Sequence, residues 1–239
     1  MILGIYGLQD SGKTKLVEGL VAALVKKGFS VSSIKHTSHK TSIDSEGKDT
    51  WRHWSAGSDP VVFSSAIETS LIKHSKMPIE DIVTMVTTRF NPDVVIVEGC
   101  KDGPFPKVAV GDLKPRKGTI MVNPELNELV AYVAREVAVE RVIAELPGLD
   151  CGKCGLDCEG LARKIVKEER KLKNCVELSD IDVKITVGTT RIAAGKFVSS
   201  IVENTVRGML SSLKGYEPGK EVEIRLGSKR RSPRKRRKA

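Results

Sequence analysis

The sequence predicts an α/β fold: a mostly parallel sheet with helices on both faces, followed by a small four-cysteine metal segment and a small α+β module. Three observations carry this. Near-continuous apolar runs alternate with segments of helical spacing through residues 1–145, the pattern of strands covered on both sides. A glycine-bounded loop joins the first apolar run to the first amphipathic segment. Four of the five cysteines then fall between Cys151 and Cys175, after a Leu146-Pro147-Gly148 break.

Taken in order, residues 2–6 (ILGIY) read as a strand and Gly7 to Gly12 as a loop. Lys13 to Lys27 reads as a helix, with Leu16, Leu20 and Leu24 one turn apart and Gly28 as its stop. Ser30 to His36 is the next strand, residues 38–50 a polar loop, and Val61 to Ser64 a short strand. Ile79, Ile82, Val83 and Val86 mark a second helix, and Asp93 to Glu98 a buried strand. Lys107–Val110 and Thr119–Val122 are later strands, and a helix over Ala131–Leu146 closes the domain. A charged helix of about Gly160–Lys173 lies inside the cysteine segment. The last module reads as a strand Val183–Val187, a turn at Gly188, a strand Arg191–Ala193, a helix Phe197–Leu213 and a strand Val222–Leu226. The expected units are 1–145, 146–178 and 179–226, with a disordered basic tail over 227–239.

Composition narrows the function classes. Of the 239 residues 40% are hydrophobic and 29% charged, which excludes a disordered chain. No apolar run reaches the roughly 18 residues of a membrane span, and the N-terminus reads directly as a strand with no leader, so a cytoplasmic chain is expected. Most of the net charge of +10 resides in the tail, whose thirteen residues hold eight Lys or Arg and no acid, so the rest of the chain is nearly neutral. Nucleic-acid contact is therefore expected only through that tail.

Gly7-Leu8-Gln9-Asp10-Ser11-Gly12-Lys13-Thr14 fits G-x-x-x-x-G-K-[ST], and it sits between a strand and a helix as that motif requires. The loop turns backbone N–H groups toward one point, and the helix N-terminus adds partial positive charge. Lys13 reaches the β- and γ-phosphates and the Thr14 hydroxyl binds Mg²⁺. The fold is thus of the P-loop NTPase type. Glu98, ending a buried strand, is the carboxylate for Mg²⁺ or its water. No Asn-Lys-x-Asp segment is present, so guanine recognition needs another loop. No strong catalytic base is evident, which predicts slow turnover.

Asp49, Arg52 and His53 would share one helix face, with Arg52 either gripping a phosphate or pairing with Asp49 at the surface. His36 and His39 are metal ligands if local geometry brings them together, and otherwise solvated side chains. Cys151-x2-Cys154-x3-Cys158-x16-Cys175 offers four soft thiolates, which suit an iron–sulfur cluster or zinc. Cys100 stands apart at a strand end. The C-terminal module offers docking, dimerisation or a lid over the metal.

GLQDSGKTKL, IKHTSHK, SIDSEGKDTWRHWSAGS and DVVIVEGCKDGPFPKV together resemble the molybdopterin-guanine dinucleotide biosynthesis protein B (MobB) family over about residues 1–122. The resemblance implies a GTP-binding protein with weak GTPase activity. It would assist GMP attachment to molybdopterin in making the molybdenum or tungsten cofactor. It also implies a homodimer that partners with the molybdenum cofactor guanylyltransferase. The implied nucleotide and ligand contacts are Gly7, Gln9, Asp10, Ser11, Gly12, Lys13, Thr14, Lys35, His36, Asp49, Arg52 and His53. Glu98 and Lys13 carry the phosphate chemistry, and Thr14 and Glu98 the Mg²⁺. The segment Asp44–His53 would lie near the phosphates or the pterin. The chain departs from the family pattern at Gln9-Asp10-Ser11, where small residues are favoured, and at Cys100, where an aromatic is usual. LPGLDCGKCG resembles the four-cysteine [4Fe-4S] domain of corrinoid iron–sulfur proteins, with three residues instead of four between the second and third cysteines. The alternative reading is a nucleotide-driven metallochaperone or iron–sulfur assembly factor.

Overall fold

The computed structural model describes residues 1–178, 183–188, 190–224 and 226. Its centre is a five-stranded sheet of β1 (Ile2–Gly7), β2 (Val31–Lys35), β5 (Val94–Glu98), β6 (Lys107–Val110) and β7 (Thr119–Val122). The spatial order is β2-β5-β1-β6-β7 and every pairing is parallel. The expected mostly parallel sheet is present.

Two cores explain the apolar runs. On one face Leu3 and Ile5 of β1 and Val94 and Ile96 of β5 meet Val17, Leu20 and Leu24 of α1 (Lys13–Lys26) and Leu129, Val133 and Val137 of α4 (Leu126–Glu145). On the other face Val95 and Val97 of β5 pack with Ile34, Phe105 and Val83 of α3 (Ile79–Phe90). All of β5 is therefore buried, and alternation is lost from its sequence. Helix α4 starts five residues before the expected Ala131, because Leu126, Leu129 and Val130 continue its apolar face among polar neighbours.

The sheet leaves the loops after β1, β2 and β5 together at its C-terminal end. The opposite end is tied by the Met1 ammonium, which donates to the Asp93 carbonyl at 2.8 Å and pairs with Glu140 at 2.7 Å. There Asp93 also accepts from Arg141 of α4 at 2.6 Å and from the backbone N–H of Ser30 at 2.9 Å. Helix α4 thus runs from the loop end of the sheet to its far end.

The hairpin of β3 (Val61–Ser64) and β4 (Thr69–Ile72) is antiparallel and lies outside the main sheet. Strand β3 is the expected short strand, and its partner β4 has no counterpart in the sequence reading. Helix α2 (Asp49–Ser55) contains the Asp49, Arg52 and His53 set expected on one helix face. It has seven residues and none is buried, so no apolar period announces it. Further on, α5 spans Cys158–Val166 and not Gly160–Lys173. Asp157 caps its start by accepting from the Gly160 N–H at 2.6 Å, and Glu168 ends it with a left-handed φ of 61°. A 3-10 turn follows at Leu172–Asn174. The last module contains β8 (Ile185–Val187), β9 (Thr190–Ile192) and α6 (Lys196–Leu210). Residues 222–224, expected to be strand, are not in strand conformation. Position 225 and the expected basic tail, 227–239, lie outside the described residues.

Candidate functional site

Strand β1 ends at Gly7 and α1 begins at Lys13, so residues 8–12 cross from sheet to helix in one tight turn. Gly7 is fixed by close approach: a Cβ there would overlap the Val110 carbonyl oxygen of the adjacent strand. Gly12 occupies the N-cap position with a φ of 86°, no side chain caps the helix, and no acid lies in its first turn. The first N–H groups of α1 therefore face outward, with the helix dipole behind them. The Lys13 ammonium folds back to donate to the Leu8 carbonyl and lies 3.3 Å from Ser11 Oγ. Gln9 and Asp10 are exposed, and Asp10 adopts a left-handed φ of 57°.

Glu98 reaches this loop from the end of β5. Its carboxylate is buried, with 9% of the side chain exposed. The Thr14 hydroxyl donates to Glu98 Oε1 at 3.1 Å, and the Lys35 ammonium of β2 pairs with the same oxygen. Parallel register produces this meeting, since Glu98 stands opposite both Ile5 and Lys35. Gly99 then turns with a φ of 93°, and a Cβ there would overlap the His36 carbonyl oxygen. That approach lets the His36 N–H donate to the Glu98 carbonyl at 2.8 Å. The His36 Nδ1 atom is buried and has no hydrogen-bond partner.

The Asp49–Arg52–His53 set is not drawn into this group. Arg52 lies 3.5 Å from Asp49, both side chains are largely exposed, and His53 is exposed. His39 is also exposed. The loop is anchored by residues that sequence spacing did not single out together. The Asp44 carboxylate is 1% exposed and accepts from Thr50 Oγ1 at 2.7 Å and from the Ser45 N–H at 3.0 Å. Its other oxygen lies 3.2 Å from His74 Nε2, an ion-pair distance without hydrogen-bond alignment. The His74 ring stacks on Trp54 with centroids 4.2 Å apart. The Thr50 hydroxyl first, then the Ser45 N–H and His74, hold the Asp44 carboxyl below the usual carboxylate range against the cost of its burial. His74 arrives from the loop after β4, and a lone histidine in that position gives no periodic signal.

At the far end of the sheet the cysteine segment packs on the last turns of α4. Val139, Leu146, Leu161, Ala162 and Cys175 form one core, with Cys154 and Cys158 packed against it. Cys151 is exposed, and all five cysteines of the chain are free thiols. Burial pushes the Cys158 thiol up. Arg163 of α5 forks onto both oxygens of Glu136 in α4 at 2.9 Å each, and also pairs with Glu159. The Arg163 guanidinium lowers the Glu136 carboxyl. Among the described residues no three His, Cys, Asp or Glu side chains are gathered tightly enough to hold a metal ion. Three thiols nevertheless share one small core, with exposed Cys151 three residues before Cys154, and that soft donor set fits an iron–sulfur cluster.

Residues 2–135 match the family model of molybdopterin guanine dinucleotide synthesis protein B (MobB), more than half of the chain. The chain belongs to the MobB family. Residues 146–177 match a second family model, described as "Putative Fe-S cluster". A Methanocaldococcus jannaschii protein named "Putative molybdopterin-guanine dinucleotide biosynthesis adapter protein" is 31% identical over 236 residues, covering 94% of this chain and 97% of its own. The Haemophilus influenzae molybdopterin-guanine dinucleotide biosynthesis adapter protein is 36% identical over 140 residues, 58% of this chain and 76% of its own. The crystal structure of Bacillus subtilis MobB aligns with 21% identity and a TM-score of 0.45, covering 56% of this chain and 95% of that one.

This MobB-family chain thus joins two matched regions, and the archaeal relative aligns through both of them. The strand–loop–helix, Glu98 and Lys35 lie within the MobB match, and all four clustered cysteines within the other. No helix among the described residues is long and apolar enough to cross a membrane.

Proposed function

We propose that this protein is a GTP-binding accessory factor in molybdenum or tungsten cofactor biosynthesis. It assists GMP attachment to molybdopterin by a separate guanylyltransferase, works as a cytoplasmic homodimer, and turns GTP over slowly. The observation that carries this reading is the Thr14–Glu98 hydrogen bond at the N-terminus of α1, with Lys35 on the same oxygen.

The residues would act as follows. Bound Mg²⁺ supplies charge neutralisation at the phosphates. The Thr14 hydroxyl and the Glu98 carboxylate would hold that ion or its water, while Lys35 balances the buried carboxylate. Lys13 would leave the Leu8 carbonyl and Ser11 for the β- and γ-phosphates. Among the described residues no second carboxylate and no imidazole hydrogen-bonds the Thr14 or Glu98 side chain, which supports slow turnover. Exposed Phe197, Ile201 and Met209 on α6 supply apolar surface for a homodimer or a guanylyltransferase to cover.

Cys151, Cys154, Cys158 and Cys175 would hold a [4Fe-4S] cluster, which supplies one-electron redox chemistry. Two measurements test the assignment. Lys13→Ala should abolish GTP binding; unchanged binding would remove the P-loop assignment. Anaerobically purified protein should hold about four irons with broad visible absorption, both lost in Cys154→Ala. About one zinc and no colour would make the segment a structural staple.

A further inference from the structure

The connection between β6 and β7, Gly111–Gly118, carries Lys114, Arg116 and Lys117 and leans over the entrance to the residue 8–12 turn. It is held from beneath by Tyr6 of β1, a side chain in a residue only 2% exposed. The Arg116 backbone N–H donates to Tyr6 Oη at 2.7 Å, and Tyr6 Oη also bonds Thr119 Oγ1 at 2.7 Å. Thr119 Oγ1 in turn donates to the Arg116 carbonyl at 2.6 Å. At the loop's start the Gly111 N–H donates to Asn123 Oδ1 at 2.6 Å. Hydrogen bonds to its backbone thus fix the loop at both ends, and of its cationic side chains only Arg116 has a carboxylate partner among the described residues.

Between this loop and Gly7–Leu8 lies a cleft of about 570 Å³, within the usual range for a small-molecule site. Four cations line it: Lys101, Lys114, Arg116 and Lys117. Arg116 pairs with Asp102 at 3.6 Å, both side chains well exposed. Lys101, Lys114 and Lys117 have no carboxylate within 4.0 Å among the described residues. Positive charges held together without counter-charge repel one another, and an anion relieves that repulsion. The remaining wall is apolar: Leu113, Pro115 and Leu8, which is 59% exposed at the turn. A cationic rim over an apolar wall selects an anion carried on an apolar body over a bare ion.

We propose that this cleft is a second ligand site, beside the α1 N-terminus, for a phosphate monoester carried on a flat heterocycle. This rests on the function proposed above, in which the P-loop holds the nucleotide. The second ligand there is molybdopterin, a pterin bearing a phosphate monoester. Leu8 borders both sites, so the two ligands would be bound side by side.

The test uses the full chain saturated with a non-hydrolysable GTP analogue and Mg²⁺, with flavin mononucleotide as a fluorescent probe. Riboflavin, which lacks the phosphate, is the control. Flavin mononucleotide should bind without displacing the analogue, at least tenfold tighter than riboflavin, and more weakly as salt rises. Lys114→Ala/Lys117→Ala should weaken it at least tenfold and leave analogue affinity unchanged, which also shows that the variant is folded. Displacement of the analogue by the probe, equal affinity for riboflavin, or an unaffected double variant would each overturn the second site. Molybdopterin is titrated in parallel. Binding of the probe but not of molybdopterin would uphold the anion cleft and sink the molybdopterin reading.

Discussion

Thr14 and Glu98 are 84 residues apart in sequence and 3.1 Å apart in space, joined by a hydrogen bond from the first turn of α1 to the end of β5. The buried carboxylate keeps this contact because Lys35, on the neighbouring strand, offsets its charge. Replacing Glu98 by Gln retains the shape and removes the charge. GTP binding in the presence of Mg²⁺ should weaken by roughly 10- to 100-fold, the scale of one charge-assisted bond. Binding measured with EDTA should barely change. Equal losses in both conditions would separate Glu98 from the metal.

Gly99 and Gly47 provide a matched pair. Both have left-handed φ values, 93° and 90°, but a Cβ on Gly99 meets the His36 carbonyl while one on Gly47 meets nothing within 4 Å. Gly47→Ala should cost about 1–2 kcal/mol from backbone strain alone. Gly99→Ala adds the clash and should cost at least twice as much in urea unfolding, with loss of nucleotide binding. Equal costs would mean that the ends of β2 and β5 part without penalty.

Asp93 gives a pH signature. The Arg141 guanidinium first, and then the Ser30 N–H and hydroxyl, hold its carboxyl down at about 2, from an ordinary 3.8. The unfolded chain therefore takes up this proton at higher pH than the folded one. The stability that Asp93 contributes is complete above about pH 4 and is lost as pH falls toward about 2. Asp93→Asn should lower stability at neutral pH and flatten the acid limb between those values. Equilibrium unfolding from pH 2 to 7 measures both effects, and an unchanged acid limb would refute the linkage.

Arg163→Met tests what fastens the cysteine segment to α4. Removing the guanidinium leaves Glu136, whose side chain is only 14% exposed, without its two-pronged partner. The cost should be about 1–3 kcal/mol. Amide hydrogen exchange should quicken in α5 and in the last turns of α4, with α1 unaffected. Uniform acceleration across the chain would mean that the two cores unfold as one.

The sheet was legible because burial on both faces writes an apolar run into each inner strand, as in β5. The Gly7–Thr14 turn was legible because its spacing is dictated by backbone geometry, and the cysteines by their clustering. Helix α2 has no apolar period, since it buries no residue, and only the spacing of Asp49, Arg52 and His53 pointed to it. β4 escaped because two of its four residues are exposed and none is fully buried. The Asp44–His74 contact joins two loops 30 residues apart, with Trp54 stacked on the His74 ring, a meeting that local pattern does not encode. Lys114, Arg116 and Lys117 were visible as charges, but only the Tyr6 hydroxyl shows where they are held.

Helix α4 belongs to two of the three hydrophobic cores: Leu129 and Val133 pack under the sheet, and Val139 packs with Leu161 and Cys175. Twenty residues of α-helix make a rod of about 30 Å. The loops proposed to hold the nucleotide therefore lie at one pole of this rod and the thiols at the other. Oxidising or stripping the thiol pole cannot alter the phosphate pole by contact. Among the described residues, α4 offers a route between them, through a shift or loosening of the rod. A partner that senses both poles must reach along the length of that rod, and one that senses only the phosphate pole would register the state of the thiols as a change in how firmly the opposite pole is braced.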